Sequence, residues 1–443
     1  MKEKAKQDFF ATRSTSWWMV ALAMIGSCFS GVTFVSVPGM VATAGFGYLQ
    51  MCIGFFLGYL VIAFVLTPLY FKLGVVSIYQ YLEQRFGLLS YKTGAWFFFI
   101  SKILGASVRL FLLCATLQLL VFGPWGVPFW VTVAVSVFLV WVYTFRGGVK
   151  SVIWVDMLKT LCMLVTVGLC LVLIGKEVGV FDKSMAKIFW FDDVNHPQFF
   201  FKQLLGGLFT VIATTGLDQD MMQRTLACKN VKDSQKNLVV SSLLQIVAIA
   251  LFLVLGVYLY QFAALHGIDA KGDALFPAVA CSQFLPPVVG VLFVVGLIAA
   301  GFPAGGSALT ALTTSFTVDI LGGLKRADSD RLRRWVHICM AICMAVCIIV
   351  FSVLNSTSTI DAVYRLASYT YGPLLGLFCF GILCKCPVKD RWVPLVCVLA
   401  PALCLVLDLN SEAWFGGYHF SYELLLLNAG FTALGLFLLR KHE

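Results

Sequence analysis

The sequence predicts an all-α polytopic membrane protein, and three observations carry that prediction. The chain of 443 residues is 60% hydrophobic and only 12% charged, with a mean hydropathy of +0.91. It divides into about twelve long apolar segments, and most Lys and Arg residues fall in or beside every second gap between them. A soluble domain needs more polar surface than this composition supplies, whereas a helix of roughly 20 apolar residues spans a bilayer.

The apolar segments have the length of transmembrane helices, although the fourth and eleventh are near the lower limit. They cover about 17–38, 46–70, 93–122, 128–145, 151–175, 200–226, 236–262, 287–320, 334–354, 360–384, 392–408 and 422–440. An open sheet would leave backbone groups unsatisfied in lipid, and no run of short alternating strands indicates a barrel. We therefore expect about twelve transmembrane helices.

The distribution of basic residues predicts the orientation in the membrane. With a cytoplasmic N-terminal segment (1–16), the inside gaps and the segment ends beside them hold 23 of the 32 Lys and Arg, the outside gaps and their segment ends hold five, and four lie deeper within segments. This is the positive-inside pattern, so we expect both termini in the cytoplasm of a bacterium and the chain in its cytoplasmic (inner) membrane. The net charge of +10 then reflects topology and contact with membrane lipid, not nucleic-acid binding.

Several classes of function find no support in the sequence. The five His are scattered, so no nucleophile–base pairing indicates an enzyme. Most Cys lie inside apolar segments, where they act as small apolar side chains. Cys384 and Cys386 have no further Cys or His nearby to complete a metal site. We expect no cofactor, no metal beyond a possible sodium ion, and no obligate protein partner.

Two segments are interrupted in a similar way. Residues 26–31 (GSCFSG) interrupt the first segment, and residues 214–218 (TTGLD) interrupt the sixth. Small and hydroxyl residues weaken a helix and free its backbone groups. Because the two segments stand five apart, two five-helix repeats would be inverted relative to each other, which is typical of transporters with a midplane binding site. The alternative is that these small residues only permit close helix packing.

The order and spacing of several motifs resemble the sodium:solute symporter family. The motifs are residues 30–39 (SGVTFVSVPG), 77–87 (SIYQYLEQRFG), 143–148 (YTFRGG) with 154–156 (WVD), 218–224 (DQDMMQR), 315–319 (SFTVD) and 371–373 (YGP). The resemblance implies a LeuT-type 5+5 inverted repeat with broken helices 1 and 6 and alternating access. It places the transporter core at 17–384, with repeats at about 17–175 and 200–384, and two additional C-terminal helices at 385–443. It also implies one more helix before the first broken one. Residues 8–10 (DFF) match the loop that follows that helix, so either the start is assigned late or the protein is a shortened variant.

The resemblance also implies an ion site, from which this sequence departs. Carbonyls of Gly26 and Phe29 would join two adjacent hydroxyl residues of the eighth segment, but Pro303 and Ala304 stand at those two positions. Ser307, one turn on, is the remaining hydroxyl of that stretch. Hard oxygen ligands are what sodium requires, so their loss argues against the usual coupling through this site.

Charged residues inside the segments are further candidates. Asp156 matches a carboxylate on the family's ion exit path and is a candidate ion-binding residue, whereas Lys159, three residues on, would pair with it. Lys102 and Arg109 are seven residues apart and share a helix face, where they would attract a substrate carboxylate, pair with carboxylates elsewhere or bind lipid. Intramembrane charges are costly and usually functional.

Candidate substrate-binding residues lie at the two breaks and in the second segment. For Asp218 the alternative is a structural role as the cap of the inner half-helix. The set consists of Ser27, Cys28, Ser30, Gln50, Thr215, Asp218 and Gln219.

The sequence therefore predicts a secondary active transporter of a small polar organic solute across the cytoplasmic membrane, with sodium symport implied by the resemblance. The alternatives are a sodium-independent transporter, proton-coupled or uniport, a solute sensor that does not transport, and a non-functional remnant.

Overall fold

The computed structural model is built almost entirely of helices. It describes residues 16–74, 77–144, 149–322, 329–354 and 358–441, with the backbone alone at 143, 149–157, 318 and 329–330. The principal helices are α1 (Trp17–Cys28), α2 (Gly31–Gly39), α3 (Tyr48–Val61), α4 (Leu88–Leu117), α5 (Phe129–Thr144), α6 (Val149–Val178), α7 (Phe200–Val211), α8 (Gln219–Leu226), α9 (Val231–His266), α10 (Pro287–Ser315), α11 (Ser329–Leu354), α12 (Thr359–Thr370), α13 (Gly372–Leu383), α14 (Val393–Leu409) and α15 (Leu424–Leu438). Short π-helical turns extend α3, α4, α7 and α10 at their C-terminal ends.

The helices have the dimensions of a multi-pass membrane protein. Within the described residues, seven helical spans are long and apolar enough to cross a bilayer, or up to ten if each of three bent pairs is one span. Two shorter apolar helices lie at Phe129–Val142 and Leu424–Leu438. Many large apolar side chains on these helices are exposed, as expected of surfaces that face lipid.

Both interrupted segments are bent. The axes of α1 and α2 differ by 58°, and those of the helices at Phe200–Gly216 and Gln219–Leu226 differ by 73°. A third bend of 48° separates α12 from α13, which the sequence did not lead us to expect. Its local cause is Gly372-Pro373, because proline in a helix removes a backbone donor and clashes with the preceding turn.

A side chain from α15 stabilises the third bend. The amide of Asn428 donates to the carbonyls of Ser368 (3.0 Å) and Tyr369 (2.9 Å), the acceptors that the bend frees. Gly372 permits this approach, because a Cβ there would lie 2.3 Å from the Asn428 side chain. The bend is therefore built into the packing of α12, α13 and α15.

Small residues bring α3 and α7 close together. A Cβ at Gly54 would lie 2.2 Å from the carbonyl oxygen of Leu204, and one at Gly207 would lie 2.2 Å from that of Met51. Such approaches drive helix association in lipid, where the hydrophobic effect between helices is absent. This contact fixes the half of the sixth segment that precedes the break.

Candidate functional site

The three bends meet at one internal cavity of about 130 Å³. Its walls include Cys28 at the end of α1, Thr215 and Asp218 at the second bend, and Tyr371 at the third. α4, α6 and α10 contribute further wall residues. A cavity of this size holds several waters or a small solute.

At the first bend the chain leaves one helix and enters the next through two extended residues, Phe29 and Ser30. Ser30 caps α2 in a capping box with Thr33, so it serves the backbone of the outer half-helix. Cys28 contacts Tyr59 on α3, with 3.1 Å between the thiol sulfur and the phenol oxygen. The hydroxyl of Ser27 donates to the carbonyl of Ala23 (2.8 Å).

The second bend satisfies its own backbone groups. The hydroxyl of Tyr70 donates to the carbonyl of Gly216 (3.1 Å), and that of Tyr79 donates to the carbonyl of Leu217 (2.9 Å). On the other side of the break, the carboxylate of Asp218 accepts from the backbone N–H of Asp220 (2.9 Å) and of Met221 (3.2 Å). Asp218 is thus the N-cap of α8, where a carboxylate also complements the helix dipole.

A buried charge network connects the three bends. Lys102 Nζ lies 3.0 Å from Asp218 Oδ2 and 3.3 Å from Asp220 Oδ2. Arg224 Nη2 lies 3.4 Å from Asp220 Oδ1, and Arg224 Nη1 donates to the hydroxyl of Ser27 on α1. Tyr371, at the third bend, donates to Asp218 Oδ2 (3.1 Å). Buried charges are tolerated only when paired and hydrogen-bonded, and these partners meet that requirement.

Arg109 differs from the other cations of the cavity. Its half-buried side chain lines the cavity from the middle of α4. No carboxylate lies within ion-pair distance of its guanidinium among the side chains that the structure describes. Lys102, which lies on the same face of α4, is by contrast paired with Asp218 and Asp220. Of the roles left open for these two residues, pairing with carboxylates is therefore the one that Lys102 takes.

The described side chains leave the cavity with a surplus of positive charge. Four cations line it, namely Lys102, Arg109, Lys159 and Arg224, against two carboxylates, Asp218 and Asp220. The side chain of Asp156 lies outside the described residues. Lys159 has a further interaction, but without it three cations still face two carboxylates, so the cavity as described complements an anion.

The predicted ion-binding residues are only partly brought together. Ala304 and Ser307 line the cavity, whereas Gly26, Phe29 and Pro303 are buried and are not part of its wall. The Ser307 hydroxyl donates to the carbonyl of Ala304 (3.2 Å), so its proton is used within α10.

The predicted substrate-binding residues divide into two groups. Ser27, Cys28, Thr215 and Asp218 line the cavity. Ser30, Gln50 and Gln219 do not line the cavity.

Gln50 and Gln219 make structural hydrogen bonds outside the cavity. Gln50 is fully buried, accepts from the backbone N–H of Trp190 (3.1 Å) and donates to the carbonyl of Gln198 (2.9 Å), which ties α3 to the loop before α7. Gln219 accepts from the backbone N–H of Ile78 (2.8 Å). Both positions differ from the expectation that these amides face the solute. Polarity within an apolar stretch does not distinguish a solute contact from a buried backbone partner.

Sequence reasoning missed the aromatic and basic residues that complete the site. Tyr59, Tyr364 and Tyr371 line the cavity, and Tyr364 pairs with Tyr48 through their hydroxyls (2.6 Å). Arg224 is 3% exposed and joins the second bend to the first. Its signal was present, because it ends the motif at 218–224, six residues after Asp218.

Comparison with known proteins places this architecture among transporters. The sequence is 24% identical over 399 residues to the mouse sodium-coupled monocarboxylate transporter 2, covering 86% of this chain and 64% of the relative. It is 24% identical over 408 residues to the sodium/sialic acid symporter NanT of Aliivibrio fischeri, covering 86% and 78%. The human sodium/iodide cotransporter is 23% identical over 402 residues, covering 86% and 61%. The chain thus spans less than two thirds of the length of two of these relatives.

A solved structure shares the fold. The structure of a substrate-bound, outward-open Na⁺-coupled sialic acid symporter superposes with a TM-score of 0.77 at 19% identity, covering 99% of this chain and 93% of the other. The profile of the Sodium:solute symporter family matches residues 9–387, and its members are transporters, not enzymes. These findings confirm the resemblance seen in the motifs: the chain belongs to the sodium:solute symporter family.

Proposed function

We propose that this protein is a secondary transporter of a small organic anion. The observation that carries the proposal is Arg109, a half-buried guanidinium that lines the cavity and has no carboxylate partner among the described side chains. A desolvated cation without a partner is costly, and a solute carboxylate would relieve that cost. Guanidinium groups bind carboxylates through two parallel hydrogen bonds, which adds geometric selectivity.

The relatives support the charge of the solute. Monocarboxylate, sialic acid and iodide are named as the cargo of three of them, and all three are anions. The walls around Arg109 also carry the polar groups Ser27, Thr215 and Tyr364, which suit a solute with hydroxyl or carbonyl oxygens. A small organic acid fits both properties.

The architecture that we propose is that of twelve transmembrane helices with a 5+5 inverted repeat. The bends in the first and sixth segments support it, since they stand five segments apart. Repeats at about 17–175 and 200–384 would enclose the cavity, and the helices at 385–443 would lie beside them. Basic residues in alternate loops support a cytoplasmic location for both termini, in the cytoplasmic membrane of a bacterium. The family and its sodium-coupled relatives favour Na⁺ as the coupling ion, whereas Pro303 and Ala304 on α10 give that ion no side-chain oxygen, which favours sodium-independent transport.

Uptake by proteoliposomes tests the proposal. Purified protein would be reconstituted, and counterflow of labelled pyruvate, lactate and N-acetylneuraminate would be compared with that of the neutral solutes glycerol and N-acetylmannosamine. We expect counterflow of at least one acid and of neither neutral solute. Transport of a neutral solute in preference to the acids would contradict the role of Arg109, and binding of an acid without counterflow would indicate a sensor.

A further inference from the structure

The C-terminal end of α1 is a place where a cation is favoured. The helix ends at Cys28, which lies in the wall of the cavity. The last carbonyl groups of a helix lack intrahelical donors, and the helix dipole places partial negative charge at this end. Any positive charge that reaches this end of the cavity is therefore stabilised.

The chain brings its own cations to this position. Arg109, Lys159 and Arg224 line the same cavity as Cys28. Lys159 is only 1% exposed, and its side chain lines the same cavity from α6. Arg224 is hydrogen-bonded to Ser27, one residue before the end of α1. Three cationic side chains thus share this cavity with the end of one half-helix.

α10 offers few oxygen ligands to a free sodium ion. Pro303 and Ala304 have no side-chain oxygen, which leaves the Ser307 hydroxyl as the single side-chain oxygen of residues 301–307. α6 packs against both α1 and α10, so Lys159 lies on a helix that contacts both of them. Sodium requires several hard oxygen ligands and is repelled by fixed cations.

We propose that the ammonium group of Lys159 is a resident cation that takes the place of a mobile sodium ion at the end of α1. Solute transport by this chain is then independent of sodium, unlike that of its named relatives. The inference rests on the proposed transport function for its consequence, but the occupancy of the position by Lys159 does not depend on which solute is carried.

Thermal stability in a sodium series tests the occupancy without any solute. The full-length wild type and Lys159→Met would be melted in detergent across sodium chloride concentrations, with potassium holding ionic strength constant. An ion that binds only the folded state raises the melting temperature by mass action. We expect a flat response from the wild type and a saturable, sodium-specific rise in Lys159→Met. The rise should be larger when Pro303→Ser and Ala304→Ser are added.

A matched control is Lys202→Met. Lys202 is also a buried lysine, but its ammonium donates to the carbonyls of Asn195 and His419 outside the cavity. The melting temperature of Lys202→Met should not change with sodium concentration, like that of the wild type. A saturable sodium-specific rise in the wild type would overturn the proposal. So would a flat response of the triple variant, in which the ammonium is absent and two oxygens are restored.

Sodium replacement during uptake provides a second measurement, should Lys159→Met fail to fold. Wild-type counterflow of pyruvate or N-acetylneuraminate would be measured with sodium and with choline as the cation. We expect equal rates, and a stimulation by sodium of about 5-fold or more, the range of a genuine coupling, would overturn the inference. Absence of counterflow for every acid would instead refute the proposed function, and the melting series would still decide the role of Lys159.

Discussion

The first and second bends have similar backbone geometry but opposite electrostatics. At the second bend, hydroxyls of Tyr70 and Tyr79 satisfy the freed carbonyls, and the carboxylate of Asp218 caps the next helix while it pairs with Lys102. The first bend contributes no carboxylate, and its carbonyl end shares the cavity with Arg109, Lys159 and Arg224. The polar and charged groups of the second bend are thus paired, whereas the first bend has no carboxylate of its own for the cations that share its cavity.

The difference indicates a division of labour within one cavity. A bend that satisfies its own groups can act as a rigid wall, whereas one that carries surplus charge can bind a ligand of opposite sign. The charge network from Lys102 to Ser27 connects the two bends through Asp220 and Arg224. Each side of this comparison can be tested separately.

Removing Asp218 should have the largest effect. Asp218→Ala breaks the buried pair with Lys102 and removes the cap of α8, so we expect a loss of stability of about 3–5 kcal/mol. Asp218→Asn keeps a good N-cap and should recover about 1 kcal/mol of that loss. Melting temperatures of the purified variants would measure both. Equal stability of the wild type and Asp218→Ala would show that the second bend does not depend on this charge.

Removing the tyrosine hydroxyls should have a moderate effect. Tyr70→Phe and Tyr79→Phe each leave a buried carbonyl at the second bend without its donor, at a cost of about 1–3 kcal/mol. Tyr258→Phe is the matched control, because the Tyr258 hydroxyl has no hydrogen bond to another described residue. Denaturant or thermal unfolding would compare the three. Similar melting temperatures for all three would mean that water, and not these hydroxyls, satisfies the second bend.

Removing the cap at the first bend should have the smallest effect. Ser30→Ala deletes the capping box of α2, with an expected loss of about 1 kcal/mol. Since Ser30 lies outside the cavity wall, the affinity for the transported anion should not change. Calorimetry of the variant would check this, and a tenfold weaker affinity would return Ser30 to the solute site.

The sequence predicted the fold more completely than the site, for physical reasons. Apolar length and alternating basic loops follow from the bilayer itself, so the helical segments were readable without tertiary information. The cap role of Asp218 was also readable from the sequence and is present in the structure; Asp218 lines the cavity as well, and its contact with a solute stays a prediction. The sequence Gly372-Pro373 could have predicted the bend at Tyr371, but we interpreted it only as part of a family motif.

Side-chain partners were the part that sequence could not supply. Nothing in the sequence separates Lys102, which finds Asp218 and Asp220 116 and 118 residues later, from Arg109, which finds no described carboxylate. Gln50 likewise meets Trp190 and Gln198 across 140 and 148 residues. Such pairings depend on helix packing across the bundle, which periodicity within one segment does not encode.

Binding of a transported acid to Arg109 variants tests the central claim most directly. Calorimetry would compare the wild type, Arg109→Gln, Arg109→Lys and the control Arg365→Gln, whose exposed guanidinium pairs with Asp408 (2.7 Å) away from the cavity. We predict that Arg109→Gln weakens binding by at least about 30-fold, equivalent to about 2 kcal/mol, because a desolvated charge pair is lost. The affinity of Arg109→Lys should lie between those of the wild type and Arg109→Gln, and the affinity of Arg365→Gln should equal that of the wild type. Unchanged affinity in Arg109→Gln would contradict the assignment of this cavity as an anion site.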